Sequence, residues 1–296
     1  MDKYNTKFCF CTLAFGKNYR KLAILLAKDI EQYSPNTHFI VLTDYPQDFS
    51  AQANILAFKH KPKSAKLYHD KLFVVSQALS MFNTCIYIDA DMRILAPVPQ
   101  DMAWIQSPGI TARVCEVMAK KYAKVLNGKA NARLAKRFAI TKKAAQKLAL
   151  NFEDKNVKFV YEYLFAVTRD SGKEIEFLKQ WEILAPYFEL NGVYDGEGNA
   201  IGLAAAKAGL PVRWSEMEGI SFFKDRTELV RVKKGQSKMK DVAKYFEQQK
   251  MIEFSENSLF EKLKIMLAKK VRFFYSLFRL RISSLSNFDF YYSNRE

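Results

Sequence analysis

The sequence predicts an α/β fold: a mostly parallel central sheet with helices on both faces, followed by a basic helical extension at the C-terminus. Three observations predict it. Short apolar runs, rich in β-branched and aromatic residues, alternate with helical patterns over the first ninety residues. These runs are apolar at nearly every position, which is the mark of strands covered on both faces. The alternation resumes after residue 150, and no internal repeat competes with it.

The elements follow in order. Residues 8–14, FCFCTLA, read as the first strand. Gly16 breaks it, and Leu22, Ile24, Leu25, Leu26 and Ile30 then recur at helical spacing until Tyr33-Ser34-Pro35-Asn36 stops the helix. Residues 38–44, HFIVLTD, form the second strand, closed by Tyr45-Pro46. The pattern predicts a helix from about 64 to 81 and a third strand over 85–89 that ends in acids. Residues 115–150 are rich in alanine and lysine and read as a helical insert; between Arg113 and Leu150 there are 11 basic residues and one acid, Glu116. Residues 158–167, KFVYEYLFAV, read as one strand, on which Glu162 faces opposite to Tyr161 and Tyr163. A helix follows, then a turn, a second helix and a Gly-Leu-Pro stop at 209–211. The chain after Lys238 is helical and increasingly basic, and the expected division is a catalytic domain over 1–257 and a tail over 258–296.

Composition narrows the partners. A 49% hydrophobic, 26% charged chain of 296 residues builds a sizeable core and is not disordered in bulk. The net charge of +16 asks for an anionic partner: nucleic acid, an anionic membrane surface or a phosphorylated ligand. Nucleic acid is the rival expectation, but helix-turn-helix, zinc and RNP signatures are missing. Cys9, Cys11, Cys85 and Cys115 form no Cys-x-x-Cys pair and read as packed thiols. Trp104, Trp181 and Trp214 read as core. No secretory signal or membrane-spanning run is evident, so the expected location is the cytoplasm. In residues 258–285, Phe260, Leu263, Leu267, Val271, Phe274 and Phe278 recur at helical spacing among seven basic residues and one acid. That is the composition of a helix lying in an anionic membrane interface, here the inner face of the membrane.

The chemistry concentrates in NTCIYIDADMRIL. A buried strand runs into Asp89-Ala90-Asp91, and carboxylates at i and i+2 project to one side of an extended chain. Ligands of open α/β sheets sit beyond the carboxyl ends of strands, so the pair stands where a ligand is expected. Two like charges this close call for a cation, and a hard ion such as Mn2+ or Mg2+ takes oxygen donors and shares its shell with phosphates. Sugar transfer from a nucleotide-sugar uses such a site. Phosphoryl transfer of the haloacid-dehalogenase type fits less well, because Arg93 stands where Thr or Val is wanted and two strand-helix units precede the motif.

In the order of its motifs over roughly residues 8–225, the chain resembles the GT-A-fold glycosyltransferases, particularly the glycogenin-like group and its bacterial sugar-transferase relatives. The resemblance implies a Rossmann-like sheet. It implies donor contacts from the loop Thr12-Leu13-Ala14-Phe15 with Tyr19, from Asp44 near the base, from Lys71 of the Lys71-Leu72 pair, and from Asp89 and Ala90. It implies Asp89 and Asp91 as ligands to Mn2+ or Mg2+, and Asp91 and Glu197 as catalytic, Glu197 lying in a variant Tyr194-Asp195-Gly196-Glu197 turn. The family's late histidine has no counterpart after His69, and Glu216, Asp225 or a water is the expected substitute. The implied activity is a hexosyltransferase, retaining rather than inverting, using a UDP-linked or other nucleotide-sugar; the basic tail and insert point to a glycan or lipid-linked acceptor at a membrane, such as a lipopolysaccharide core. A catalytically silent nucleotide-sugar binder is the alternative.

Overall fold

The computed structural model describes residues 7–253 and 259–293. The chain is an α/β protein whose contacts divide it into two compact units interleaved along the sequence. The first comprises Met1–Lys61, Phe73–Gln106 and Glu216–Leu263; the second comprises Pro62–Leu72, Ser107–Ser215 and Lys264–Glu296. In chain order the elements are β1 (Cys9–Ala14), α1 (Gly16–Tyr33), β2 (Phe39–Thr43), β3 (Ile55–Lys59), α2 (Lys71–Met81), β4 (Thr84–Ile88) and β5 (Arg93–Ile94). They continue with β6 (Gly109–Ala112), β7 (Cys115–Val117), α3 (Met118–Lys121), α4 (Ala123–Leu126), α5 (Ala132–Lys147), β8 (Lys158–Val160) and β9 (Leu164–Thr168). The remainder are α6 (Lys173–Leu190), α7 (Glu197–Ala208), β10 (Val212–Trp214), β11 (Phe222–Phe223), α8 (Asp225–Lys233), α9 (Met239–Glu253), α10 (Leu259–Ser284) and α11 (Phe288–Tyr292).

In the first unit β4, β1, β2 and β3 lie side by side and all run parallel. Every residue of β2 and β4 is buried, as their unbroken apolar runs require. Helix α1 turns Leu22, Ala23, Leu26, Ala27 and Ile30 inward, and each large apolar side chain so buried contributes about 1.5–3 kcal/mol. Cys9, Cys11 and Cys85 are buried free thiols, and burial pushes those of Cys9 and Cys11 up. The chain steps from β1 to β2 to β3 in one direction, then returns to place β4 on the other side of β1. The winding therefore reverses between β1 and β4. The loops leaving the carboxyl ends of those two strands flank the switch point, where open α/β sheets bind ligands.

The second unit contains β10, β6 and β9, with β6–β9 antiparallel and β10–β6 parallel, and a β7–β8 ribbon. Helix α7 lies directly on β8: a Cβ at Gly202 would stand 1.5 Å from the Lys158 carbonyl oxygen, and one at Gly198 2.3 Å from that of Val160. Only glycine permits this approach. The alanine- and lysine-rich insert is mostly helical, as expected, in α3, α4 and α5; it opens with the strand β7. Asn131 caps α5 by accepting from the Leu134 N–H at 2.9 Å.

Three expectations about elements need correction. The helix predicted over 64–81 begins only at Lys71. Its expected first turn has its N–H groups taken by side chains: Lys63 and Ser64 donate to Asp70, and Ala65 and Lys66 donate to Glu189. Leu67 then takes a left-handed φ of 57°. The strand predicted over 158–167 is two strands, β8 and β9, which pair with different partners. Glu162 accordingly sits in the break between them, not on a strand face. Trp181 is core, but Trp214 is 57% exposed at the end of β10.

Part of the expected tail, residues 258 and 294–296, lies outside the described residues, as do the side chains of Leu259, Phe260 and Lys262. The rest of α10 is helical and carries most of its apolar residues outward, with Leu280 buried. Side chains 263–272 are exposed all round, and Phe274 and Phe278 are 67% and 64% exposed. The second half docks through Ser276, Leu280 and Ser284, spaced four apart, and Arg279 donates to the carbonyls of Pro62 and Lys63. No helix among the described residues is long and apolar enough to cross a membrane.

Candidate functional site

The acid pair stands at the carboxyl end of β4. The strand stops at Ile88, and the Met92 N–H donates to the Asp89 carbonyl at 3.0 Å, so Asp89 to Met92 is a turn and not extended chain. The turn still brings the two carboxylates together. They converge on one cation, Lys224, whose Nζ donates to Asp91 Oδ1 at 2.7 Å and Asp89 Oδ2 at 3.1 Å. Tyr87, two residues back on the same strand, donates its hydroxyl to Asp89 Oδ1 at 3.1 Å.

Lys224 is held there by backbone structure. After the turn the chain forms β5, which pairs antiparallel with β11: Phe222 stands opposite Ile94 and Phe223 opposite Arg93. The Leu95 N–H donates to Ser221 at 2.9 Å, extending the ribbon. Phe223 is buried against the rings of Tyr245 and Phe246 of α9. Lys224 is the next residue and immediately precedes α8. Its side chain and those of both acids are mostly buried. Burial works to discharge the ammonium, but Asp89 and Asp91 outweigh it and push Lys224 up to about 12. Burial and the neighbouring Asp89 raise the Asp91 carboxyl above its ordinary range, against the pull of Lys224.

The expected donor loop flanks the same edge of the sheet. Ala14 and Thr43 are register partners, and the Thr43 hydroxyl donates to the Ala14 carbonyl at 2.7 Å, tying the ends of β1 and β2. Thr12 and Ala14 are fully buried and Phe15 nearly so, while Tyr19 is half exposed on α1. Ala90 is buried in the acid turn. Of these side chains only that of Tyr19 is substantially exposed. Asp44 accepts from the Gly16 N–H at 3.1 Å and from Arg20 at 2.7 Å, and Arg20 also binds Asp48 at 2.6 Å. Burial would raise Asp44, but Arg20 and the Gly16 N–H hold it below the usual carboxylate range. The sequence reading missed Arg20; its spacing from Asp44 gives no local signal.

In the second unit, Lys71 opens α2 and Glu197 opens α7. Both are buried, and Lys71 Nζ lies 3.6 Å from Glu197 Oε1 and donates to the Glu162 carbonyl at 3.1 Å. It is the backbone of Glu162, not its carboxylate, that takes part. Asp195 is clamped by Arg133 at 2.7 Å and Arg137 at 2.6 Å, and the two guanidiniums hold its carboxyl low against the effect of burial. An acid held ionised by two arginines is a poor proton acceptor.

The segment carrying Lys71 is fastened by Glu189 of α6, which accepts from the N–H groups of Ala65 and Lys66 at 2.8–3.3 Å. Burial raises this carboxyl from 4.5 to about 7, outweighing those N–H donors. The native chain therefore binds this proton more tightly than the unfolded chain does. Stability contributed by the group is full below about pH 4.5 and falls as pH rises to about 7, by up to about 3 kcal/mol at 1.36 kcal/mol per unit. Glu189→Gln will flatten that fall, as read by urea unfolding across pH 4.5–8; an unchanged pH dependence would contradict the assignment.

Two carboxylates supply part of a divalent ion's shell, and further protein oxygens, waters or phosphate oxygens supply the rest. Among the described residues, no third His, Cys, Asp or Glu completes a metal-holding group with Asp89 and Asp91; neither Glu216 nor Asp225 does so. The place between the carboxylates is taken by the Lys224 ammonium. As folded, the donor set does not fit a resident Mn2+ or Mg2+.

Compared with protein-family models and with curated proteins, the chain matches none.

Proposed function

We propose that the chain is a glycosyltransferase of GT-A type, moving a sugar from a nucleotide-sugar, UDP-linked as first choice, to a glycan or lipid-linked acceptor at a membrane surface. The observation that carries this reading is the acid pair at the β1/β4 switch point, held at the carboxyl edge of a parallel sheet. In the reaction the bond from the sugar's anomeric carbon to the phosphate oxygen breaks, and its electron pair leaves with the diphosphate. The acceptor oxygen bonds to that carbon and passes its proton to the departing diphosphate oxygen. Asp89 and Asp91 would accept from the donor's hydroxyls, and the Lys224 ammonium that they hold would meet its diphosphate. Lys71 and Glu197, both of the second unit, neutralise one another at 3.6 Å. The clamped Asp195 makes an inverting mechanism with that residue as base the weaker choice. Release of nucleoside diphosphate from UDP-sugars, compared between the native chain and Asp91→Ala, tests the reading.

The membrane part of the reading rests on α10. Its outward apolar residues and the exposed Lys264, Lys269, Lys270, Arg272 and Arg281 match an anionic bilayer, where lysine heads stay at the headgroups and aromatic rings sink among acyl chains. The full chain will sediment with vesicles containing anionic lipid, and Phe274→Glu with Phe278→Glu will cut that by at least about tenfold, since each replaces buried apolar area with charge. Both side chains are exposed, so the fold is spared. Equal sedimentation of the variant would defeat the membrane role.

A further inference from the structure

The acid pair already owns a cation. We propose that Lys224 is the resident counter-ion of Asp89 and Asp91 and keeps a divalent cation out of the pair in the unliganded chain. The inference rests on the acid pair being the ligand site, as proposed above, and not on the identity of the ligand.

Geometry carries it. One ammonium spans both carboxylates at 2.7 and 3.1 Å, which is where an ion bridging them would sit. The lysine does not arrive on a loose loop: the β5–β11 ribbon springs from the acid turn itself and sets Phe223 into the core one residue before Lys224. With two acids and one ammonium the group carries a charge of −1. Entry of a divalent ion replaces one charge by two, but it also strands a mostly buried ammonium beside the newcomer. Opposite partners are what make such a buried charge tolerable, and losing them costs more than the pair is worth in water. A phosphate-bearing ligand removes the difficulty, because its oxygens give the displaced ammonium a new anion.

Mn2+ binding by the full chain tests this without any nucleotide. Free Mn2+ is measured by electron paramagnetic resonance for the native protein, Lys224→Gln, and Lys224→Gln combined with Asp91→Asn. The expected result is one Mn2+ site in Lys224→Gln, at least about tenfold tighter than any in the native chain, a difference of about 1.4 kcal/mol. Adding Asp91→Asn should remove that site. Equal affinity in the native chain and Lys224→Gln, including no binding by either, overturns the proposal. If facing carboxylates leave Lys224→Gln too unstable to titrate, its Tm becomes the readout. Mn2+ must then raise the variant's Tm more than the native protein's, and an equal response overturns the proposal. A parallel arm with UDP alone, with Mn2+ alone and with both reports separately on the nucleotide reading, so that either idea can fail without the other.

Discussion

Asp91→Ala will lower sugar transfer by at least about a hundredfold, the cost usually seen when one preorganised electrostatic partner of a reacting group is removed. The carboxylate is mostly buried at the switch point and holds Lys224 at 2.7 Å. Without it the ammonium keeps Asp89 alone, at 3.1 Å, and loses its fixed position. Both the charge at the proposed donor site and the geometry that presents it change together. Asp91→Asn is the sharper variant: it keeps the shape and removes only the charge, so it separates electrostatics from packing. The readout is nucleoside diphosphate released per enzyme, alongside a thermal melt showing that the variant is folded. Native-like turnover in a folded Asp91→Asn would place the chemistry elsewhere.

Gly202→Ala will destabilise the chain by at least about 3 kcal/mol, at the upper end of what overpacking causes. The added Cβ would fall 1.5 Å from the Lys158 carbonyl oxygen, a backbone atom with no rotamer through which to escape. Helix α7 must therefore lift from β8. Lys158 is further tied by its own Nζ donating to the Val212 carbonyl at 2.6 Å, so β8 does not yield easily either. Because Glu197 opens the same helix and meets Lys71, the shift reaches that ion pair too. Denaturant unfolding measures the loss. A change below about 1 kcal/mol, the ordinary size for a point mutation, would mean that α7 and β8 are not in this close contact.

Much of this was legible in the sequence, where burial is total. The runs at 8–14, 38–44 and 85–89 became β1, β2 and β4 because strands covered on both faces leave an unbroken apolar signature. The acid pair was legible for the same reason: two charges directly after such a run stand out. Strand β3 was missed because, as an edge strand, it is only partly buried and its pattern is diluted. The late start of α2 was illegible because Glu189, 123 and 124 residues away, takes the N–H groups that a helix would use. Lys224 lies 133 and 135 residues from its partners and has no local signature. The sequence pointed to its neighbourhood, from Glu216 to Asp225, as the source of a third metal ligand. That stretch instead delivers an ammonium, and only the pairing of β5 with β11 reveals which side chain faces the acids.

The central claim, that the switch-point acids receive a nucleotide-sugar, is tested most directly by equilibrium titration of the full chain with a panel of nucleotide-sugars, each with and without Mn2+, followed by thermal melts. A ligand held only by the native state stabilises it by about 2.7 kcal/mol at a hundred times its Kd. At least one nucleotide-sugar should produce such a rise in Tm in the native protein and none in Asp91→Ala. A panel that leaves the native melt unmoved, or one that stabilises native and variant alike, would contradict it.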